Sequence, residues 1–294
     1  MSTSFPAFRR RAVPALAVLA SAAAVGGCDS SSGSGVSVPT IGAAKVFTLA
    51  GFQPSAPVLP GRSTIVSFTI QTPAGKPLTA YKQCCEPHAG VDLIMVRSDD
   101  SHALYEDSDI AADGRITQPV VFPAPGRYRI VVDAYPKQTS PESPVSFQLF
   151  TWVTVRGSYR PQPVAPFGAT QFADGYRFQI RGDPHLKADQ ANFLDLNVVD
   201  PQGRKAVFAA WRGALAHALF FREGSLDYFH THVCSPGVSY CRSSFGATRV
   251  TGSSTAPGRL TVGVLLPVPG TWRMFLLTYM HGQVLTVSYT LNVT

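Results

Sequence analysis

"FPAPGRYRIVVDAY", residues 122–135, and "LPVPGTWRMFLLTY", residues 266–279, carry one pattern twice. Each has Pro-x-Pro-Gly, then an aromatic residue, an arginine and an apolar run ending in tyrosine. The proline–glycine step punctuates a turn, and the run behind it has the composition of a buried strand. Two more pairs occur in the same order upstream: "FTIQTPAGKPL" (68–78) against "LNVVDPQGRKAV" (196–207), and "VDLIMVR" (91–97) against "AHALFFR" (216–222). Three matches in register mean a duplicated unit. The Pro-rich stretch "RGSYRPQPVAPF" (156–167) cannot continue a sheet and separates the copies.

Other segments agree with this reading. "STIVSFTIQT", "SFQLFTWVTV", "RLTVGVLL" and "VLTVSYTLNV" are rich in Val, Thr, Leu and aromatics, several alternate with period two, and Gly/Pro turns bound them. Pro-Ala-Gly-Lys and Pro-Gln-Gly-Arg read as hairpin turns. No convincing helical periodicity follows the N-terminal segment. The expected fold is all-β, with two tandem sandwiches, immunoglobulin-like or cupredoxin-like, of about seven strands each. The first spans residues 41–157 and the second 158–294.

Residues 1–27 read as an export signal. Arg9, Arg10 and Arg11 precede a short apolar run from Ala12 to Val25, followed by Gly26-Gly27-Cys28. The small-small-Cys ending resembles the lipobox of bacterial lipoproteins, which implies a lipid on Cys28 and anchorage at the outer face of the cell membrane. The adjacent arginines also fit a twin-arginine signal. "CDSSSGSGVSVPT" (28–40) is a flexible Gly/Ser tether. No later stretch is long and apolar enough to span a membrane as a helix.

Charged residues make up only 15% of the chain, which fits a turn-rich extracytoplasmic protein. There are 25 Lys and Arg against 18 Asp and Glu, and three of the arginines lie in the signal. So small and scattered a surplus does not point to nucleic acid.

The candidate site lies in "LDYFHTHVC" (226–234). Residues two apart on a strand share a face, so His230, His232 and Cys234 are expected on one side. Their Cα atoms step by roughly 6.5–7 Å, so two neighbours can meet on one ion and a third needs a bend. His217 opens the preceding strand, close by because Gly224-Ser225 makes the turn. His281, with Met280 beside it, ends a third strand. Imidazole and thioether donors suit copper, and imidazole alone suits copper or zinc. The first repeat has Asp92 where the second has His217, Pro136 and Lys137 where it has Met280 and His281, and Tyr105 and Asp107 near the paired positions. The framework therefore does not need these histidines.

The segments "GALAHALFFREGSLDYFHTHV" and "LTYMHGQVLTVSYTLNV" resemble a domain of secreted actinobacterial proteins and lipoproteins, and the resemblance covers roughly residues 192–294. Its marks are Gly-x-x-x-His, Leu-x-Tyr-x-His-x-His and an aromatic-rich strand followed by His. Some of those proteins are described as heavy-metal-binding, so the resemblance implies metal binding. Proline usually follows the paired histidines in that pattern; here Val233 and Cys234 do, and then an insertion.

Cys234 and Cys241 read either as a disulfide closing the loop at Pro236-Gly237 or as thiolate ligands, and an extracytoplasmic setting favours the disulfide. Cys84 and Cys85 can bond each other under strain or pair with the other two, and "CCEPH" (84–88) is a weaker soft-metal motif. Gly-x-Ser-x-Gly, phosphate-loop and His-Glu-x-x-His motifs are absent. The expectation is a non-enzymatic, lipid-anchored lipoprotein that binds or delivers copper, or zinc, through its second domain. The alternative is a structural or adhesive surface module that binds protein or glycan without metal. An envelope protein partner is a third reading, with the aromatics near Trp211 and Tyr240 as contacts.

Overall fold

A computed structural model describes residues 46–82, 90–137, 146–182, 184–235 and 256–294. The expected signal, the tether with Cys28, and Cys84, Cys85 and Cys241 lie outside the described residues.

Every regular element there is a strand. In the first half these are β1 (Thr48–Gln53), β2 (Ser63–Gln71), β3 (Val91–Arg97), β4 (Ala103–Asp107), β5 (Asp109–Ile110), β6 (Arg115–Val121), β7 (Gly126–Ala134) and β8 (Phe147–Val155). In the second they are β9 (Thr170–Ala173), β10 (Tyr176–Ile180), β11 (Ala191–Val199), β12 (Ala216–Arg222), β13 (Tyr228–Val233), β14 (Arg259–Leu265), β15 (Gly270–Met280) and β16 (Gln283–Val293).

Sheet β1-β2-β6-β5 packs on sheet β4-β3-β7-β8, and sheet β14-β11-β10-β9 on sheet β13-β12-β15-β16. Phe68 and Ile116 meet Leu93, Tyr128 and Val132 inside the first sandwich. Phe178, Leu196 and Val262 meet Phe220, Trp272 and Met274 inside the second. Both pairs of antiparallel sheets have the immunoglobulin-like arrangement. The copies share the order β1-β2-β6 and β10-β11-β14, and each adds a strand at the opposite edge, β5 in one and β9 in the other.

The repeated motif does the same physical work in both copies. The Tyr128 hydroxyl donates to the Ala124 carbonyl at 3.1 Å, and the Trp272 indole N–H donates to the Val268 carbonyl at 3.1 Å. In each case the aromatic bonds back across Pro-Gly and anchors the corner that enters the strand. The glycines, Gly126 and Gly270, sit at φ of 133° and 135°. A Cβ there would come within about 3.1 Å of Arg97 and Arg222 respectively, which occupy matching places in the two copies. The pattern thus records a left-handed backbone position under a covering arginine.

The two sandwiches belong to one compact unit, Gly33–Thr294. Strand β3 is buried at all seven positions and β12 at six of seven, whereas a strand with one wet face would alternate. The reason is a third apolar layer. Ile94, Val96, Ala103, Tyr105 and Val131 of the first sandwich pack on Leu219, Phe221, Leu226, Phe275 and Leu277 of the second. Arg129 crosses this seam and donates to the carbonyls of Ser225 at 2.9 Å and Leu226 at 2.7 Å. The linker is pinned as well. The Tyr159 hydroxyl lies 3.0 Å from Ser98 Oγ, and the Gln162 amide donates to Asp99 at 2.9 Å. Asp99 in turn holds Arg97.

Truncating a fully buried seam residue should leave a void between the sandwiches. Phe221→Ala should cost about 3–5 kcal/mol in denaturant unfolding. Ile65→Ala, on the outer sheet at 51% exposure, should cost under about 1 kcal/mol. Equal costs would mean that the seam does not carry stability.

Candidate metal centre

Pleat parity sorts the residues of β12 and β13. Ala216, Ala218 and Phe220 point into the second sandwich, so His217, Leu219 and Phe221 point into the seam. On β13, Phe229 and Val233 face the sandwich interior, and Tyr228, His230 and His232 face the seam. His217 pairs directly with His232 across the strands, and His230 lies opposite Leu219. One ring from β12 and two from β13 therefore meet, and no bend is needed.

One ligand atom from each of His217, His230 and His232 lies within 4.8 Å of those of the other two. His217 Nδ1 stands 3.0 Å from His230 Nε2. Nitrogens around a tetrahedral ion, with metal–nitrogen bonds of about 2.0–2.1 Å, are about 3.3 Å apart, so small ring rotations would close the set. His217 and His230 are buried and His232 half-buried. The rings of Tyr105 (4.8 Å) and Trp211 (5.2 Å) pack against His217. Arg212 lies over both aromatic rings and forms an ion pair with Asp107 at 3.0 Å.

His217 is preset. Its Nε2 lies 3.2 Å from the Trp211 carbonyl oxygen, which can only accept, so Nε2 carries the proton. Burial, reinforced by His232 and His230, pushes this imidazole well below its ordinary value, and the ring is neutral. Its Nδ1 therefore presents a lone pair to His230 and His232. A ligand histidine oriented through its other nitrogen by a carbonyl is the usual supporting arrangement in metal sites.

The other expected ligands go elsewhere. Met280 points the other way by parity and packs in the core of the second sandwich. His281 is exposed in the two-residue turn joining β15 to β16. Its φ of 49° and that of Gly282, 85°, are what such a hairpin turn requires, so His281 answers to the turn. Cys234 lies buried past the end of β13, where its backbone bonds Thr261 of the facing sheet, and it is not among the clustered ligands. Its pairing with Cys241 stays an expectation.

The first sandwich supplies what sequence reasoning missed. Asp92 pairs across the strands with Asp107 on one side and Asp133 on the other. With Tyr105 they share the seam face, because Leu93 and Val132 point inward. Asp92, Tyr105 and Asp107 occupy the register of His217, His230 and His232. Tyr105 reaches the histidines, whereas Asp133 adjoins Tyr135 and Tyr228. Burial pushes the Asp133 carboxyl up to about 7, against the hydroxyl that Tyr135 donates to it at 3.2 Å.

Residues 170–294 match the family described as a domain of unknown function, DUF8832. The match covers the second sandwich and all three histidines; Tyr105 and the aspartates lie outside it. No curated protein matches the chain. Among solved structures, it is similar to domains 4 and 5 of the surface-layer protein SbsC, at 11% identity over 84% of this chain and 97% of that one, with a TM-score of 0.24. A tetra-tandem repeat from the extending region of a large adhesion protein aligns at 11% identity over 84% of this chain and 49% of that one, TM-score 0.26. The fibronectin(III)-like modules of Clostridium thermocellum CbhA align at 11% identity over 84% and 92%, TM-score 0.21. At these values no binding property passes from them to this chain.

The raised Asp133 gives a signed pH effect. Its folded value lies above the unfolded one, near 3.8, so the folded state holds the extra proton between pH 4 and 7. The carboxyl costs nothing below pH 4, and its penalty grows until pH passes 7. Asp133→Asn should therefore raise stability by a few kcal/mol at pH 8 and by little at pH 4. Denaturant unfolding at the two pH values measures this, and a gain independent of pH would refute it.

Proposed function

We propose that this chain is an extracytoplasmic surface module, lipid-anchored through Cys28, whose paired sandwiches hold a zinc or copper ion in their seam. The observation that carries this reading is the convergence of His217, His230 and His232, with the Nδ1 lone pair of His217 turned toward the other two rings. Three imidazoles are a recurrent zinc set and also suit copper. The aromatic lining keeps water away, which fits storage or hand-over better than turnover. The export signal with its lipobox-like ending supports the location, and the Cys234–Cys241 disulfide belongs to the same reading.

The architecture is that of tandem β-sandwiches. Binding of protein or glycan without metal is the competing reading. It treats the three histidines as a hydrogen-bonded patch of the seam.

Metal titration separates the two. The chain from Gly33 onward should bind one zinc or copper(II) ion and gain about 2.7 kcal/mol at a free metal concentration of 100 Kd. The His230→Ala/His232→Ala variant should lose both effects and stay folded. If the unaltered chain binds none of zinc, copper(II) and copper(I), the metal reading fails and the competing one stands.

A further inference from the structure

Three imidazoles bound to an ion supply donors but no charge, and the seam around them is largely apolar. A divalent ion placed there needs negative charge within the same low-dielectric layer. The first sandwich provides it. Asp107, Asp92 and Asp133 run side by side across β4, β3 and β7, and Asp92 and Asp133 are 8% and 4% exposed. Neighbouring carboxylates on a sheet face repel, and burial adds to the cost.

The row points to the histidines through Tyr105. Its ring lies 4.8 Å from that of His217 and 5.4 Å from that of His230. Asp107 stands two residues along β4 from Tyr105 on the same face, and Asp92 lies directly opposite Asp107. Arg212 is the cation on this side. It reaches Asp107 at 3.0 Å and Glu106 at 3.5 Å, and lies 4.6 Å from the centre of the Tyr105 ring. Among the described residues, carboxylates thus outnumber guanidinium groups at this end of the seam. The register repeats the theme: each aspartate or tyrosine of the β3–β4 pair holds the place of a histidine in the β12–β13 pair.

We infer that Asp92 and Asp107 of the first sandwich are the counter-charge for an ion held by His217, His230 and His232 of the second, so that the composite site prefers divalent over monovalent metal. This rests on the metal reading above and adds its charge class and the need for both sandwiches. The aspartates act through the field across the seam and through Tyr105, as positioning residues rather than ligands. A lone copy of the second sandwich, with the same three histidines, would lack this term.

The test uses the chain from Gly33 onward with Asp92→Asn and, as a second variant, Asp107→Asn. Zn(II) and Ag(I) are the probes, the latter a soft monovalent ion that imidazoles accept. Each variant should bind Zn(II) about 10–100-fold more weakly, the usual effect of removing an outer partner of a metal site. Ag(I) affinity should change by less than about 3-fold, on the same reasoning, because a single charge gains less from the row. Circular dichroism and the unfolding midpoint confirm the fold. Equal weakening of Zn(II) and Ag(I) would mean that the aspartates only shape the cluster, and unchanged Zn(II) binding would mean that they do not act on it. Either result overturns the inference while the three-histidine site stands. If the unaltered chain binds neither ion, both fall.

Discussion

The structure depends on the apolar seam in which the outer faces of two sheets pack on one another. An isolated sandwich would leave these faces in water, and their strands would then alternate between apolar and polar residues. Instead β3 and β12 are buried nearly throughout, because each lies between its own core and the neighbouring sandwich. Leu219 and Phe221 touch Ile94 and Val131 much as core residues touch within one domain. The Arg129 clamp and the Tyr159–Ser98 and Gln162–Asp99 contacts then hold the two halves in one relative position.

That position creates the polar end of the seam. Alone, the first sandwich would present three aspartates to water, and the second three histidines. Docking brings the two sets near each other around Tyr105 and removes most of the water. The low dielectric raises the stakes in both directions: it neutralises His217, pushes Asp133 up to about 7, and would strengthen the attraction between the aspartates and a cation among the rings. A seam of this kind links stability, protonation and metal affinity in one layer.

Much of the fold was legible because it is written twice. The Pro-Gly-x-aromatic motif carries a hydrogen bond and a left-handed glycine, and those demands restrict which residues can stand there. The linker was equally legible from its prolines. The site was legible only in part. His230 and His232 are two apart and share a face in any extended strand, and the short turn brings β12 beside them. The error at Met280 came from treating strand ends as interchangeable, when one step along a strand reverses the face. The error at His281 came from reading as a ligand a residue whose backbone completes a hairpin turn. Arg212 left no signal beyond composition, since its partners Tyr105 and Asp107 come from the other sandwich.

The sequence by itself determined the duplication, the β class and the turns, because these follow from local sterics, period-two patterning and proline–glycine chemistry. Only the tertiary structure decided that the histidines face the other sandwich and that Asp92, Tyr105 and Asp107 stand opposite them. Such contacts join residues more than a hundred positions apart, through the packing of one whole sheet on another. No local pattern encodes that packing, and its only trace along the chain is the burial of β3 and β12 on both faces.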